Sequence, residues 1–140
     1  MNGKPVAFID TNIWVYAALD DGSGKHQKAL AFLEETRKTQ KIVCSVQVVN
    51  ELHNVLERKY GFAPEVATGQ VEAVAEVAQI VPLTFETYRT ACSVRSQYAF
   101  SFWDGLVVAS AVECGAAAFF SEDMQDELNI GEMVIRNPIK

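Results

Sequence analysis

Val6-Ala7-Phe8-Ile9-Asp10-Thr11-Asn12 is an apolar run that ends in a carboxylate and then turns. Four apolar residues bounded by Pro5 and Asp10 predict a short strand buried on both faces, the kind found in parallel sheets. Ile13-Trp14-Val15-Tyr16-Ala17 continues as a helix, so Asp10 falls at the carboxyl end of the strand, where by itself it would be an ordinary N-cap. The rhythm repeats along the chain. Ile42-Val43-Cys44 predicts a second strand, with Ser45 capping a helix from Val46 to about Lys59. Ile80-Val81-Pro82-Leu83-Thr84 predicts a short strand or extended link at an edge, because Pro82 cannot donate to a ladder. Ala116-Ala117-Ala118-Phe119-Phe120-Ser121 predicts a buried strand, and Met133-Val134-Ile135 a last one at an edge. Further helices are expected from about Lys25 to Thr39 with Ala29, Leu30, Phe32 and Leu33 inward, from Pro64 to about Gln79, and from Phe85 to about Tyr98. Strands alternating with helices predict an α/β fold, a three-layer α/β/α sandwich around a mainly parallel sheet. A length of 140 residues suits one domain spanning 1–140, and a 49% hydrophobic composition supplies a core without disulfides.

The most informative helix start is Ser101-Phe102-Trp103-Asp104-Gly105-Leu106-Val107-Val108-Ala109-Ser110-Ala111. Leu106, Val107, Val108, Ala111 and Val112 cover much of the helix circumference, so the helix should be largely buried, with Asp104 at the positive end of its dipole. Taken alone, Ser101 and Asp104 read as a capping box. Company changes that reading: Asp10, Glu51 and Asp123 also lie just after apolar stretches that read as strands. Glu51 borders the buried face of its helix, formed by Val48, Leu52, Val55 and Leu56, and no Lys or Arg four residues on explains it as a surface pair. Spacing leaves open which of Glu122, Asp123 and Asp126 faces inward from the acidic loop after Phe120.

Other functions are bounded by what is absent from the pattern. Cys44, Cys92 and Cys114 are odd in number and widely spaced, which argues against a disulfide framework or a zinc site and for a reducing compartment. Met1-Asn2-Gly3-Lys4-Pro5 runs directly into a strand, and no stretch is long enough to span a bilayer, so a cytoplasmic protein without a membrane is expected. The net charge of −6 counts against a nucleic-acid binder that relies on basic residues alone. Two bound divalent cations would bring it to −2, which keeps a phosphate substrate compatible. His26 has no ligand-type neighbour three or four positions away and reads as solvated, as Arg89 and Arg95 also do unless they meet phosphate.

Ligands of such sheets bind outside the carboxyl ends of the strands, which is where these acids fall. Four carboxylates gathered without a cation repel one another, and a hard divalent ion removes that cost. Oxygen-only ligation favours Mg²⁺ or Mn²⁺ over zinc, and such an ion polarises a phosphoryl oxygen and acidifies a bound water. Phosphodiester hydrolysis is the natural reaction.

Phe8-Ile9-Asp10-Thr11-Asn12, the Ser45 to Glu51 helix start, Phe102-Trp103-Asp104, Phe119-Phe120-Ser121-Glu122-Asp123-Met124-Gln125 and Asn137-Pro138 together resemble the PIN-domain ribonucleases of VapC toxin type. The resemblance spans essentially the whole chain. It implies a helix-covered parallel sheet, Mg²⁺- or Mn²⁺-dependent endonucleolytic cleavage of RNA, a homodimer, and neutralisation by a cognate antitoxin. By motif matching it makes Asp10, Glu51, Asp104 and Asp123 the acidic, metal-holding and catalytic set, with Asn12 as a polar helper; Arg89 and Arg95 are the candidates for positioning substrate. Two departures stand out. Asp126-Glu127 replaces the Asp-Gly or His-Gly pair often seen after the last acidic motif, and the acidic charge leaves the RNA groove to Lys25, Lys28, Arg58, Lys59, Arg89 and Arg95. The competing readings are a non-catalytic binding module of the same fold and a receiver-type Mg²⁺ signalling domain. The latter needs a phosphorylatable Asp after a central strand and a Lys after a later one, and neither follows Leu83-Thr84 or Phe120.

Overall fold

A computed structural model describes residues 3–140, so Met1 and Asn2 of the leader reading lie outside the described residues. The chain runs β1 (Val6–Ile9), α1 (Thr11–Ala18), α2 (Lys25–Thr39), β2 (Lys41–Ser45), α3 (Val46–Arg58), α4 (Pro64–Val77), β3 (Gln79–Val81), α5 (Phe85–Gln97), α6 (Phe102–Glu113), β4 (Ala116–Phe120), β5 (Asn129–Ile130) and β6 (Met133–Arg136). The six strands form one sheet in the order β3-β2-β1-β4-β6-β5. All pairings are parallel except that of β5 with β6. The α/β expectation holds.

From β1 the chain steps outward to β2 and β3, then returns through α5 and α6 to lay β4 on the other side of β1. Right-handed crossovers in opposite directions put the two sets of helices on opposite faces. The reversal opens a crevice beyond the carboxyl ends of β1 and β4, the place where ligands bind in open α/β sheets. Asp10 and Ser121 stand directly at it. Their backbones are tied to neighbouring strands, Asp10 N–H donating to Phe120 C=O at 2.9 Å and Ser121 N–H to Arg136 C=O at 2.9 Å.

The central strands carry the core. Ala7, Phe8, Ile9, Cys44 and Phe119 have no exposed surface, and the rings of Phe8 and Phe119 stack with centroids 5.5 Å apart. The indole Nε1–H of buried Trp14 donates to Ile9 C=O at 3.1 Å, which satisfies its polar atom and locks α1 to the end of β1.

Three local expectations change. Met133–Arg136 is not the edge strand, because Asn129–Ile130 folds back on it through Gly131, whose φ of 60° a glycine adopts without strain. In α2, Leu30 is exposed and Thr36 takes an inward place, its hydroxyl donating to Phe32 C=O. Val112 on α6 is exposed as well, just past the buried stretch from Val107 to Ala111. Among the described residues, no helix is long and apolar enough to cross a membrane.

Candidate active site

Four segments converge on one cavity of about 350 Å³ at the carboxyl edge of the sheet. Asp10 enters from the end of β1, Glu51 from the second turn of α3, Asp104 from the first turn of α6, and Asp123 from the loop after β4; all four line it. Asn12 lines it too, whereas Arg89 and Arg95 do not.

Asp10 is the deepest of the four. It caps α1, its Oδ1 accepting from Thr11 N–H at 2.8 Å, while its Oδ2 accepts from the Ser121 hydroxyl at 2.9 Å. Burial raises its pKa from 3.8 to about 6; the two hydrogen bonds oppose the shift, and the charges of Glu51 and Asp123 add to it. The N-cap and the site residue are therefore one carboxylate.

Ser121 and Asn12 fix the loop. The Ser121 hydroxyl oxygen accepts from Asp123 N–H at 3.2 Å and from Asn12 Nδ2 at 3.3 Å. Asn12 Nδ2 also donates to Asp123 Oδ2 at 3.1 Å, and Asn12 Oδ1 accepts from Glu122 N–H at 3.1 Å. Sequence reasoning placed Asn12 near Asp10 but missed Ser121, whose one signal was its place directly after β4.

The loop acids now separate. Glu122 is held by Lys25 Nζ at 2.5 Å and by the Tyr16 hydroxyl at 2.7 Å; burial opposes its ionisation, but these two partners keep its pKa below the usual range. Asp126 is turned away from the site, its oxygens taken by Asn137 N–H at 2.8 Å and Lys140 Nζ at 2.5 Å. Asp123 is left facing the cavity.

On α6 only half of the capping box forms. Ser101 Oγ accepts from Asp104 N–H at 3.1 Å, without the reciprocal bond from the Asp104 carboxylate. The Asp104 side chain is thereby free for the cavity. Glu51 finds a partner that the sequence reading missed: Gln47 Nε2 donates to Glu51 Oε1 at 3.0 Å and to Trp103 C=O at 3.1 Å, bridging α3 to the start of α6. A Gln four residues before a Glu on one helix was the available signal. Gln47 Oε1 and Thr11 Oγ1, both at the cavity, are buried without a partner, which leaves two oxygens for a ligand or water.

Cations are scarce here. Lys59 is the only Lys or Arg lining the cavity among the described residues, its ammonium 5.4 Å from the centroid of the Tyr60 ring. Lys25 is committed to Glu122, Arg58 Nε to Asn54, Arg89 to Glu86, and Arg95 Nε to Phe100 C=O. His26 is half-buried instead of solvated, its Nδ1 2.7 Å from Tyr16 C=O and hence the protonated nitrogen of that contact.

The donor set fits a hard divalent cation: Asp10, Glu51, Asp104 and Asp123 around one cavity, no thiol or imidazole in its lining, and an Asp10 carboxyl whose ionisation is opposed by burial and, to a lesser extent, by its anionic neighbours. Among the described residues, no three acidic, His or Cys side chains form a ready-made metal cage. An ion there would be held through one or two carboxylates, with water completing its shell, the usual manner for Mg²⁺.

Solved structures share this architecture. The chain is similar to VapBC2 from Rickettsia felis bound to a promoter DNA fragment, at 17% identity and a TM-score of 0.71, covering 94% of this chain and 98% of that one. It is also similar to DNA-bound VapBC from Salmonella typhimurium, at 14% identity and a TM-score of 0.68, covering 96% and 98%. A third is the Sarcin-Ricin loop cleaving toxin VapC20 from Mycobacterium tuberculosis, at 19% identity and a TM-score of 0.63, covering 84% and 91%. Comparison with curated proteins gives no match. The family model described as PIN domain matches residues 7–128, from β1 to the turn before β5, and the chain belongs to the PIN domain family.

Proposed function

We propose that the chain is a Mg²⁺- or Mn²⁺-dependent endoribonuclease and the toxin of a toxin-antitoxin pair, cytoplasmic and homodimeric. The observation that carries this reading is the convergence of Asp10, Glu51, Asp104 and Asp123, from four separate segments, on one cavity. The kinship with VapBC complexes and with a toxin that cleaves the Sarcin-Ricin loop supports RNA as substrate and an antitoxin as partner. When bound, a divalent ion supplies Lewis acidity toward a phosphoryl oxygen and acidifies water. The protein's own part is positioning. Asn12 and Ser121 hold Asp123 and Asp10 in register, Gln47 holds Glu51, and Lys59 supplies a positive charge toward the phosphate chain.

The test is cleavage of a structured RNA pool with Mg²⁺ or Mn²⁺ against EDTA, beside Asp104→Asn. Cutting is expected only with metal, leaving 5′-phosphate and 3′-hydroxyl ends, and is expected to fall roughly 100-fold or more in the variant, the scale of losing one preorganised electrostatic group. Full activity in Asp104→Asn, or 2′,3′-cyclic phosphate ends, would overturn the hydrolytic metal reading. A folded, antitoxin-free protein that cuts nothing would favour the non-catalytic binding module.

A further inference from the structure

Asp104 and Asp123 belong to two cavities at once. Beyond them lies a second hollow of about 380 Å³, which Glu51 does not line, walled by Gln97, Tyr98, Phe100, Met124, Gln125 and Leu128. Its size falls within the roughly 300–1,000 Å³ of pockets that hold small organic groups. No Lys, Arg or His lines it among the described residues, and its only charges are the two shared carboxylates. The hollow itself offers a phosphate no cationic partner.

A planar, neutral, hydrogen-bonding group needs none. Tyr98 and Phe100 form an aromatic corner, with ring centroids 6.3 Å apart and planes inclined by 42°. That corner is set before any ligand arrives: Tyr98 N–H donates to Val94 C=O at 2.9 Å, Phe100 N–H to Tyr98 C=O at 3.0 Å, and Arg95 Nε–H to Phe100 C=O at 3.1 Å. Arg95 is thus a strut for the aromatic link. Gln97 and Gln125 add exposed amides, which can both donate and accept. Stacking on an aromatic face together with hydrogen bonding along a base edge is how proteins read unpaired RNA bases.

We propose that this second hollow receives the nucleobase next to the scissile phosphate, stacked on Tyr98 and read by Gln97 and Gln125, while the phosphate lies toward the shared carboxylates and any divalent ion they hold. The assignment rests on the ribonuclease reading and deepens it, since it makes the enzyme selective for an unpaired base on one side of the cut.

The experiment uses the full chain in Mn²⁺ and short RNAs spanning its mapped cut site, each with one flanking nucleotide made abasic, against wild type, Tyr98→Ala and Gln97→Ala. In wild type, removing the base on one side is expected to raise KM roughly tenfold with kcat nearly unchanged, the scale of one base–aromatic stack. In Tyr98→Ala that penalty is expected to disappear, because the stack is already lost. Gln97→Ala, an exposed change that spares the fold, is expected to alter which base is preferred at that position. Metal-dependent cutting in which the abasic penalty is the same in wild type and Tyr98→Ala, and base preference is the same in Gln97→Ala, overturns the base site and leaves the nuclease intact. Absence of any cutting by wild type removes the nuclease reading, and the base site with it.

Discussion

Asp10 is where burial and charge meet most sharply, and its titration has a definite sign. Below about pH 4 the carboxyl is protonated in both folded and unfolded chains. Between about 4 and 6 the unfolded chain releases its proton while the folded one keeps it, so stability falls as pH rises, and above the folded value of about 6 the full cost is present. The shift from 3.8 to about 6 corresponds to roughly 3 kcal/mol. In EDTA, Asp10→Asn is therefore expected to be more stable than wild type at pH 7.5, by about 1–3 kcal/mol, and equal to it near pH 4, as read by urea unfolding. Adding Mn²⁺ at pH 7.5 should stabilise wild type and not the variant; equal stability of the two proteins at pH 7.5 in EDTA would refute the burial account. A second residue, Glu127, has a φ of 63°, the left-handed conformation that glycine adopts without steric cost. That conformation costs a non-glycine roughly 1–2 kcal/mol, against 0.5–1 for the chain entropy a glycine adds. Its ion pair with Arg136, 3.6 Å apart and exposed, adds little. Glu127→Gly is expected to raise stability by about 0.5 kcal/mol and Glu127→Val to lower it, both measurable by thermal unfolding. At this scale the sequence showed which acids to suspect but not their partners. Asp10 and Ser121, or Asn12 and Asp123, meet only after the sheet has formed, so no local spacing could reveal them.

Helix starts hold three of the four acids, and each start is built differently. Asp10 is the cap itself, Glu51 sits behind the Ser45 cap, and Asp104 follows the Ser101 cap with its carboxylate released. These starts were legible because caps obey short-range rules. The packing of α5 on α6 was not, since it turns on a close approach that periodicity does not encode. A Cβ on Gly105 would lie 2.6 Å from Arg95 Cγ and 2.9 Å from its Cδ. Gly105→Ala gains about 1 kcal/mol of helix propensity but incurs about 1–3 kcal/mol of overpacking, and it pushes Arg95 off Phe100 C=O. A net loss of about 1 kcal/mol is expected, with a KM increase larger than any change in kcat. Higher stability and unchanged kinetics would show that the Arg95 stem yields freely. The misread β6 belongs to this scale as well. Asn129-Ile130 is too short to show alternation, so the sequence could not announce the hairpin that displaces β6 from the edge.

Across the whole molecule, the alternation of strands and helices was sufficient to infer the fold class, because a run such as Val6–Ile9, apolar throughout, has few other places to go than the middle of a parallel sheet. The order of the strands was not legible, and with it the crevice between β1 and β4. An unpartnered surface also belongs to this scale. Phe85 and Trp103 are 66% and 65% exposed, and Phe85, Tyr88, Phe102 and Trp103 make successive ring contacts. An exposed apolar run of this kind is the surface that the proposed second copy would cover. Sedimentation should give twice the chain mass for wild type and a shift toward the monomer for Phe85→Ser; a monomeric wild type at working concentration would rule out the homodimer. The crevice, finally, bears on timing. The Asp10 carboxylate waits for a hydroxyl 111 positions later in the chain, and β1 for the strand that precedes it. At about 5–20 residues per second, synthesis needs roughly 6–22 s to cover that distance. Throughout that interval the nascent polypeptide carries Asp10 and Glu51 with no fourth segment to meet them, so a chain cut short before Ser121 holds the first walls of the cavity and cannot close it.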